Sequence, residues 1–184
     1  MRLSKPRIHP LEEDEWSDAA RDSMRPFVES GNDHNIFKTL TNHPDLMRRW
    51  MVFANHILFK QTLPLREREL VILRIGYLCQ AGYEWGQHVI IARKAGMTEE
   101  EIRSAKTGPE TLGISELDRL LMRATDELHS DAFISDETWN ELTLHLDTQQ
   151  LMDLIFTVGQ YNLVSMALNS LGVQADEGLP NWDI

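Results

Sequence analysis

Apolar positions return at helical spacing along nearly the whole chain, and no segment holds four clean apolar/polar alternations, so the pattern predicts an all-α protein. Leu46, Trp50, Phe53, Ile57 and Leu58 mark one face of a helix opened by Pro44, where proline's missing N–H loses no partner. That helix is expected to stop near Pro64. From Leu65 to about Leu78 the run Leu70, Val71, Ile72, Leu73, Ile75 and Leu78 is apolar almost all round, interrupted by Arg74 and Gly76. A centrally buried helix reads this way, and its arginine then needs a partner. A third helix runs from about Tyr83 to Lys94 and ends at Gly96, and Thr98 with Glu101 forms a capping box for the next. Ser115 caps a helix with Leu117, Leu120, Leu121, Ala124 and Leu128 on one side, and Ser135 opens another. Asp147 with Gln150 caps the last long helix, which closes at Gly172. Loop residues at Thr107-Gly108-Pro109 and Gly113 would leave two halves too small to stand comfortably alone, so a single domain is expected.

Composition narrows the partners. The 184 residues carry 18 Lys+Arg against 29 Asp+Glu, a net charge of −11 that repels nucleic-acid phosphates and anionic lipid heads. Neither nucleic acid nor a membrane is expected as a partner. The apolar stretches fall far short of the ~20 residues that span a bilayer, and the charged N-terminal segment lacks the apolar core of a secretory signal. One cysteine, Cys79, closes no intramolecular disulfide, which fits a reducing, cytoplasmic setting.

The densest polar cluster inside an apolar stretch is Tyr83, Glu84, Trp85 and His88. Glu84 and His88 stand four apart and meet on one helix face. A carboxylate beside an imidazole raises its pKa and fixes its tautomer, as a general acid or base needs. The same spacing recurs at Glu141 and His145, so by itself it equally describes an ion pair with no chemistry. In the last helix Gln160, Tyr161, Asn162 and Asn169 break the apolar face, which reads as a helix–helix hydrogen-bond network in preference to a pocket wall. Trp50, Phe53, Phe59 and Phe156 exceed what so few helices can cover, which points to a second copy of the chain.

Glu69 is followed after eleven residues by Ala81, after two more by Glu84, and after three more by His88. The stretch LPLRERELVILRIGYLCQAGYEWGQHVIIARKAGMTEEEI resembles the carboxymuconolactone decarboxylase family, which includes the AhpD-like alkylhydroperoxidases. NIFKTLTNHPDLMRRW upstream and WNELTLHLDTQQLMDLIFTVGQYNLVSMALNSLGV downstream are similar to the flanks of its longer members. The resemblance implies an AhpD-like helical bundle over residues 35–175, an N-terminal extension with a helix over 1–34, and a tail over 176–184. In the peroxidase branch Glu-x11-Cys-x2-Cys-x3-His carries a dithiol; here Ala81 and Glu84 replace both cysteines, so thiol attack and resolution are impossible at these positions. Cys79 would point about 180° from His88 on a continuous helix, and reads as a buried, inert thiol.

In the decarboxylase branch the resemblance implies non-redox proton transfer on a small carboxylated or lactone metabolite. Glu69, Glu84 and His88 would be the catalytic residues, and His88 the proton donor. Two carboxylates in an apolar site do not both ionise cheaply, so one is expected to hold a proton while the other orients His88. Tyr83 and Trp85 would stand at the pocket wall, and Arg74 would anchor substrate or, in the plainer reading, pair with Glu69 or Glu84. No metal or other cofactor is expected: Glu69, Glu84 and His88, or Asp126 with His129, offer ligand atoms but no paired Glu-x-x-His or His-Glu-x-x-His motif. The expected partners are a small-molecule substrate and, by resemblance, further copies in a trimer or hexamer. The alternatives are a peroxide-reducing enzyme and a non-catalytic helical binding protein.

Overall fold

The computed structural model describes residues 2–180, and all regular structure among them is helical. After a single 3-10 turn, the helices are α1 (Asp18–Ser30), α2 (Asn35–Leu40), α3 (Pro44–Phe59), α4 (Leu65–Leu78), α5 (Gly82–Lys94), α6 (Glu99–Thr107), α7 (Glu116–Asp131), α8 (Asp136–Leu142) and α9 (Thr148–Leu171). Every residue of α4 from Arg68 to Gly76 is buried, and α5, α6, α7 and α9 pack around it. The all-round apolar pattern of that segment is the cause: a helix with no polar face has to be surrounded.

The capping boxes at Thr98/Glu101 and Asp147/Gln150 form as the sequence predicts, and Gly96 and Gly172 adopt left-handed φ of +87° and +74°. The α3 helix ends at Phe59, earlier than Pro64, because residues 60–64 form the loop that carries the chain into α4. Between α4 and α5 the chain turns at Gln80 (φ 52°), and the Ala81 N–H returns to the Gly76 carbonyl at 2.9 Å. At Gly76 the two helices lie in ordinary packing contact, since a Cβ there would stand 3.8 Å from Cβ of Glu84. This turn sets Glu84 and His88 against Glu69.

Both ends of the chain are built into the same body. Trp16, Ala20 and Met24 pack with Met47 of α3, and Arg7 N–H bonds the Leu171 carbonyl at the end of α9. In the C-terminal tail the Asp176 carboxylate accepts hydrogen bonds from the Asn35 N–H (2.8 Å), the Tyr83 hydroxyl (2.5 Å) and the Gln87 amide (2.8 Å). The end of the expected tail, 181–184, lies outside the described residues.

Two expectations change. By length and composition α9 is apolar enough to cross a membrane, since its interruptions are mostly uncharged amides and hydroxyls, but half of its apolar window is buried inside the fold. The Arg74 guanidinium is bound not by Glu69 or Glu84 but by Asp126 of α7, at 2.6 and 2.8 Å, and it donates to the carbonyls of Ala105 and Lys106. Five residues separate Glu69 from Arg74, which on a helix is about 140° of rotation, so the two side chains leave α4 on different sides.

Gly108 closes over that guanidinium. Its φ is +91°, and a Cβ would lie 2.6 Å from Arg74 Nη2. Gly108→Ala is therefore expected to destabilise the fold by about 1–3 kcal/mol, lowering the melting temperature by several degrees in a thermal melt. An unchanged melt would show that this loop does not hold Arg74.

Candidate active site

Glu69 projects from the middle of α4 and is fully buried. One oxygen accepts Arg68 Nε–H at 3.0 Å and Nη2–H at 2.8 Å; the other accepts His88 Nδ1–H at 2.6 Å. His88 Nε2–H points the other way, to Glu84 Oε1 at 3.0 Å. Arg68 also donates to the Leu58 carbonyl, tying the end of α3 to the cluster. The result is a buried chain Arg68–Glu69–His88–Glu84 in which cations and carboxylates alternate.

The neighbouring charges fix the states of His88 and Glu69. Burial opposes a charged imidazole at His88, but Glu69 and then Glu84 outweigh it and push its pKa up to about 10. Burial likewise opposes the Glu69 carboxylate, and the His88 and Arg68 cations overcome it, leaving its pKa below the ordinary value. Of the two roles the sequence reading offers a carboxylate here, holding a proton or orienting His88, Glu69 takes the second. His88 stands between the two carboxylates and Arg68 beside Glu69.

Beside this chain lies a cavity of about 840 Å³ between α1, α2, α3, α5 and α9. Glu84 and His88 line it; Glu69 and Arg68 stand behind them. The Tyr161 ring meets the His88 ring edge-on, with centroids 4.9 Å apart, and Gln160 lies on the same wall. Of the expected substrate contacts, Tyr83 reaches the cavity, its hydroxyl held by Asp176. Trp85 does not: it is fully buried on the other side of α5, edge-on to Tyr77 and under the Lys106 ammonium. Arg74 is also absent from the lining, being held by Asp126.

Polar residues of α9 divide between the two roles weighed for them. Asn162 accepts from the Cys79 thiol at 3.1 Å and Asn169 donates to the Cys79 carbonyl, forming a helix–helix network, whereas Gln160 and Tyr161 are pocket wall. Cys79 sits outside the cavity, nearly buried, and burial pushes its thiol pKa up. His145 falls beyond the end of α8 at Leu142, so the helical spacing from Glu141 is broken and the residue is exposed. Asp126 and His129 turn to different partners, Arg74 and Cys79, and among the described residues no group of three His, Cys, Asp or Glu side chains is arranged to hold a metal. Sequence reasoning missed Arg68, and it favoured the helix–helix network over the pocket wall for Gln160 and Tyr161. A signal for Arg68 existed, since a buried carboxylate serving one histidine leaves its second oxygen in want of a donor.

Residues 44–127, which include all four members of the chain, match the carboxymuconolactone decarboxylase family model. Over this segment the chain is similar to the carboxymuconolactone decarboxylase family. Solved structures agree on the fold. An uncharacterized peroxidase-related protein from Ralstonia eutropha JMP134, described as an alkylhydroperoxidase AhpD core, superposes with a TM-score of 0.81 at 17% identity over 94% of this chain and 93% of that one. An uncharacterized peroxidase-related protein from Silicibacter sp. TM1040 gives 0.80 at 12% identity over 96% and 97%. The debrominase Bmp8, in a cysteine-to-alanine form complexed with 2,3,4-tribromopyrrole, gives 0.74 at 14% identity over 95% and 94%. No curated protein sequence matches. This chain shares the helical fold of these structures, and its sequence holds no Cys-x-x-Cys pair.

The raised pKa of His88 has a thermodynamic consequence. Folded His88 binds its proton more tightly than the unfolded residue, so the associated stability is complete below about pH 6.5 and is lost as pH rises toward about 10. An NMR titration is expected to show the His88 ring still protonated at pH 8, with the melting temperature falling between pH 7 and 10. A ring that titrates near pH 6.5 would contradict the assignment.

Proposed function

We propose that this chain is an enzyme of the carboxymuconolactone decarboxylase family that performs non-redox proton transfer on a small carboxylated or lactone-like metabolite bound in the cavity. The observation that carries this reading is His88: a buried imidazolium, clamped on both nitrogens, at the wall of a cavity large enough for a metabolite. Glu69 and Arg68 fix the ring from behind. Glu84, which shares the cavity wall, is the carboxylate through which the Nε2 proton is exchanged.

The chemistry balances without an added redox partner. When the substrate loses CO2, the electron pair of the broken C–C bond passes into the adjacent conjugated carbonyl, and the resulting carbon accepts the Nε2 proton of His88. When the substrate is an uncharged lactone, Glu84 removes a proton beside the carbonyl and His88 returns one, moving a double bond or exchanging hydrogen. Either route uses a donor whose proton is held in place before substrate arrives.

Thiol-based peroxide reduction is less well supported. Cys79 is outside the cavity, its thiol is bonded to Asn162, and burial disfavours the thiolate that would attack peroxide. A purely structural role for the chain of charges leaves the adjoining cavity unexplained. The small-molecule partner is therefore retained. We also retain assembly of several copies, on the observation that Val52 and Phe59 of α3 and Phe156 and Met166 of α9 are more than half exposed.

The test uses two compounds: carboxymuconolactone, followed by CO2 release, and α-angelica lactone, an uncharged unsaturated lactone, followed by deuterium wash-in from D2O. Turnover of one of them is expected, reduced about 10²–10⁴-fold in His88→Gln. Glu84→Gln is expected to reduce it as well and to shift its pH profile. Wild-type protein inert toward both, or His88→Gln with undiminished turnover, would refute the proposal.

A further inference from the structure

We propose that Gln160 and Tyr161 form a recognition pair for the carbonyl oxygen of an uncharged, otherwise apolar ligand. The proposal rests on the reading that the cavity beside His88 is the substrate cavity, and it selects between the two substrate types named for it. Both residues are more than nine-tenths buried, at 4% and 7% exposed, and both line the cavity. Neither side chain hydrogen-bonds to any described residue, and their polar atoms reach the cavity space rather than being sealed in packing. A buried amide or hydroxyl without a partner is costly, so two adjacent ones facing one cavity are donors left for a group that the chain itself does not supply.

Tyr161 is suited to donate. Burial, then the nearby Glu84 and Glu69 carboxylates, push its pKa well above the ordinary value, so the hydroxyl keeps its proton. Gln160 has amide N–H groups that donate at any ordinary pH. Much of the remaining wall is apolar, with Phe27 stacked on Phe37 at 3.9 Å between ring centroids, and with Met51 close by.

The charges around the cavity argue against an anion. His88 lies between Glu69 and Glu84, Arg48 at the rim is paired with Asp45 at 2.6 Å, and His34 Nδ1 faces Asp176 at 3.3 Å. Among the described residues no lining cation is left without a carboxylate. An entering carboxylate would meet Glu84 with nothing to compensate its lost hydration, whereas a carbonyl oxygen needs only the two neutral donors.

Isothermal titration with a matched pair, methyl cinnamate and cinnamate, reads this without turnover. The ester is expected to bind at least tenfold more tightly than the carboxylate. Gln160→Leu and Tyr161→Phe are each expected to weaken the ester about tenfold while leaving the melting temperature unchanged, since no hydrogen bond of the fold is lost. His88→Gln, measured alongside, is expected to keep ester binding, which separates failure of the proton-transfer reading from failure of this one. The proposal falls if the ester does not bind at millimolar concentration, if cinnamate binds as tightly, or if neither α9 substitution changes the ester's affinity.

Discussion

A single carboxylate with a cation on each oxygen underlies the rest of the structure. Glu69 has no contact with solvent, and an ion of that size loses several kcal/mol when taken out of water. Arg68 on one oxygen and His88 on the other make that position tolerable. The same contacts fix α5 against α4 through His88 and hold the end of α3 through the Leu58 carbonyl. The cavity wall formed by α5 is thus positioned by electrostatics as well as by packing.

The chain of four charges also defines which chemistry the scaffold hosts. In the dithiol pattern that the sequence resembles, sulfur occupies the places of Ala81 and Glu84; here the second place carries a carboxylate within 3.0 Å of the imidazole. Under the proposed function, proton transfer takes the place of thiol chemistry at these positions, with Glu69 and His88 of the pattern still present. The cations of the chain are matched by carboxylates, which is why the proposed selectivity is assigned to the neutral wall supplied by α9.

Much of this was legible in the sequence where local rules govern. The span of α4 followed from its uninterrupted apolar run, and the capping boxes of α6 and α9 from residue types at fixed offsets. Glu69, Glu84 and His88 meet because a short turn at residues 79–81 folds α5 back onto α4, which the motif spacing encodes. What failed depended on neighbours remote in sequence. Arg68 stands in the charged run Arg66-Glu67-Arg68-Glu69 and looks like a solvated first turn, yet it is buried and bonded to the Leu58 carbonyl at the end of α3. Arg74 found Asp126, fifty-two residues away, and Trp85 turned from the cavity because its neighbours on α5 occupy the inward face. Gln160 and Tyr161 differ from Asn162 and Asn169 only by rotation about α9, which a pattern of polar interruptions does not resolve.

The most direct measurement is the unfolding free energy, by chemical denaturation, of Glu69→Gln alone and combined with Arg68→Met. Glu69→Gln strands two buried cations and is expected to cost about 3–5 kcal/mol, part of it recovered when Arg68→Met removes one of them. A loss below about 1 kcal/mol for Glu69→Gln, or two effects that simply add, would show that the buried carboxylate is not what the site is built on.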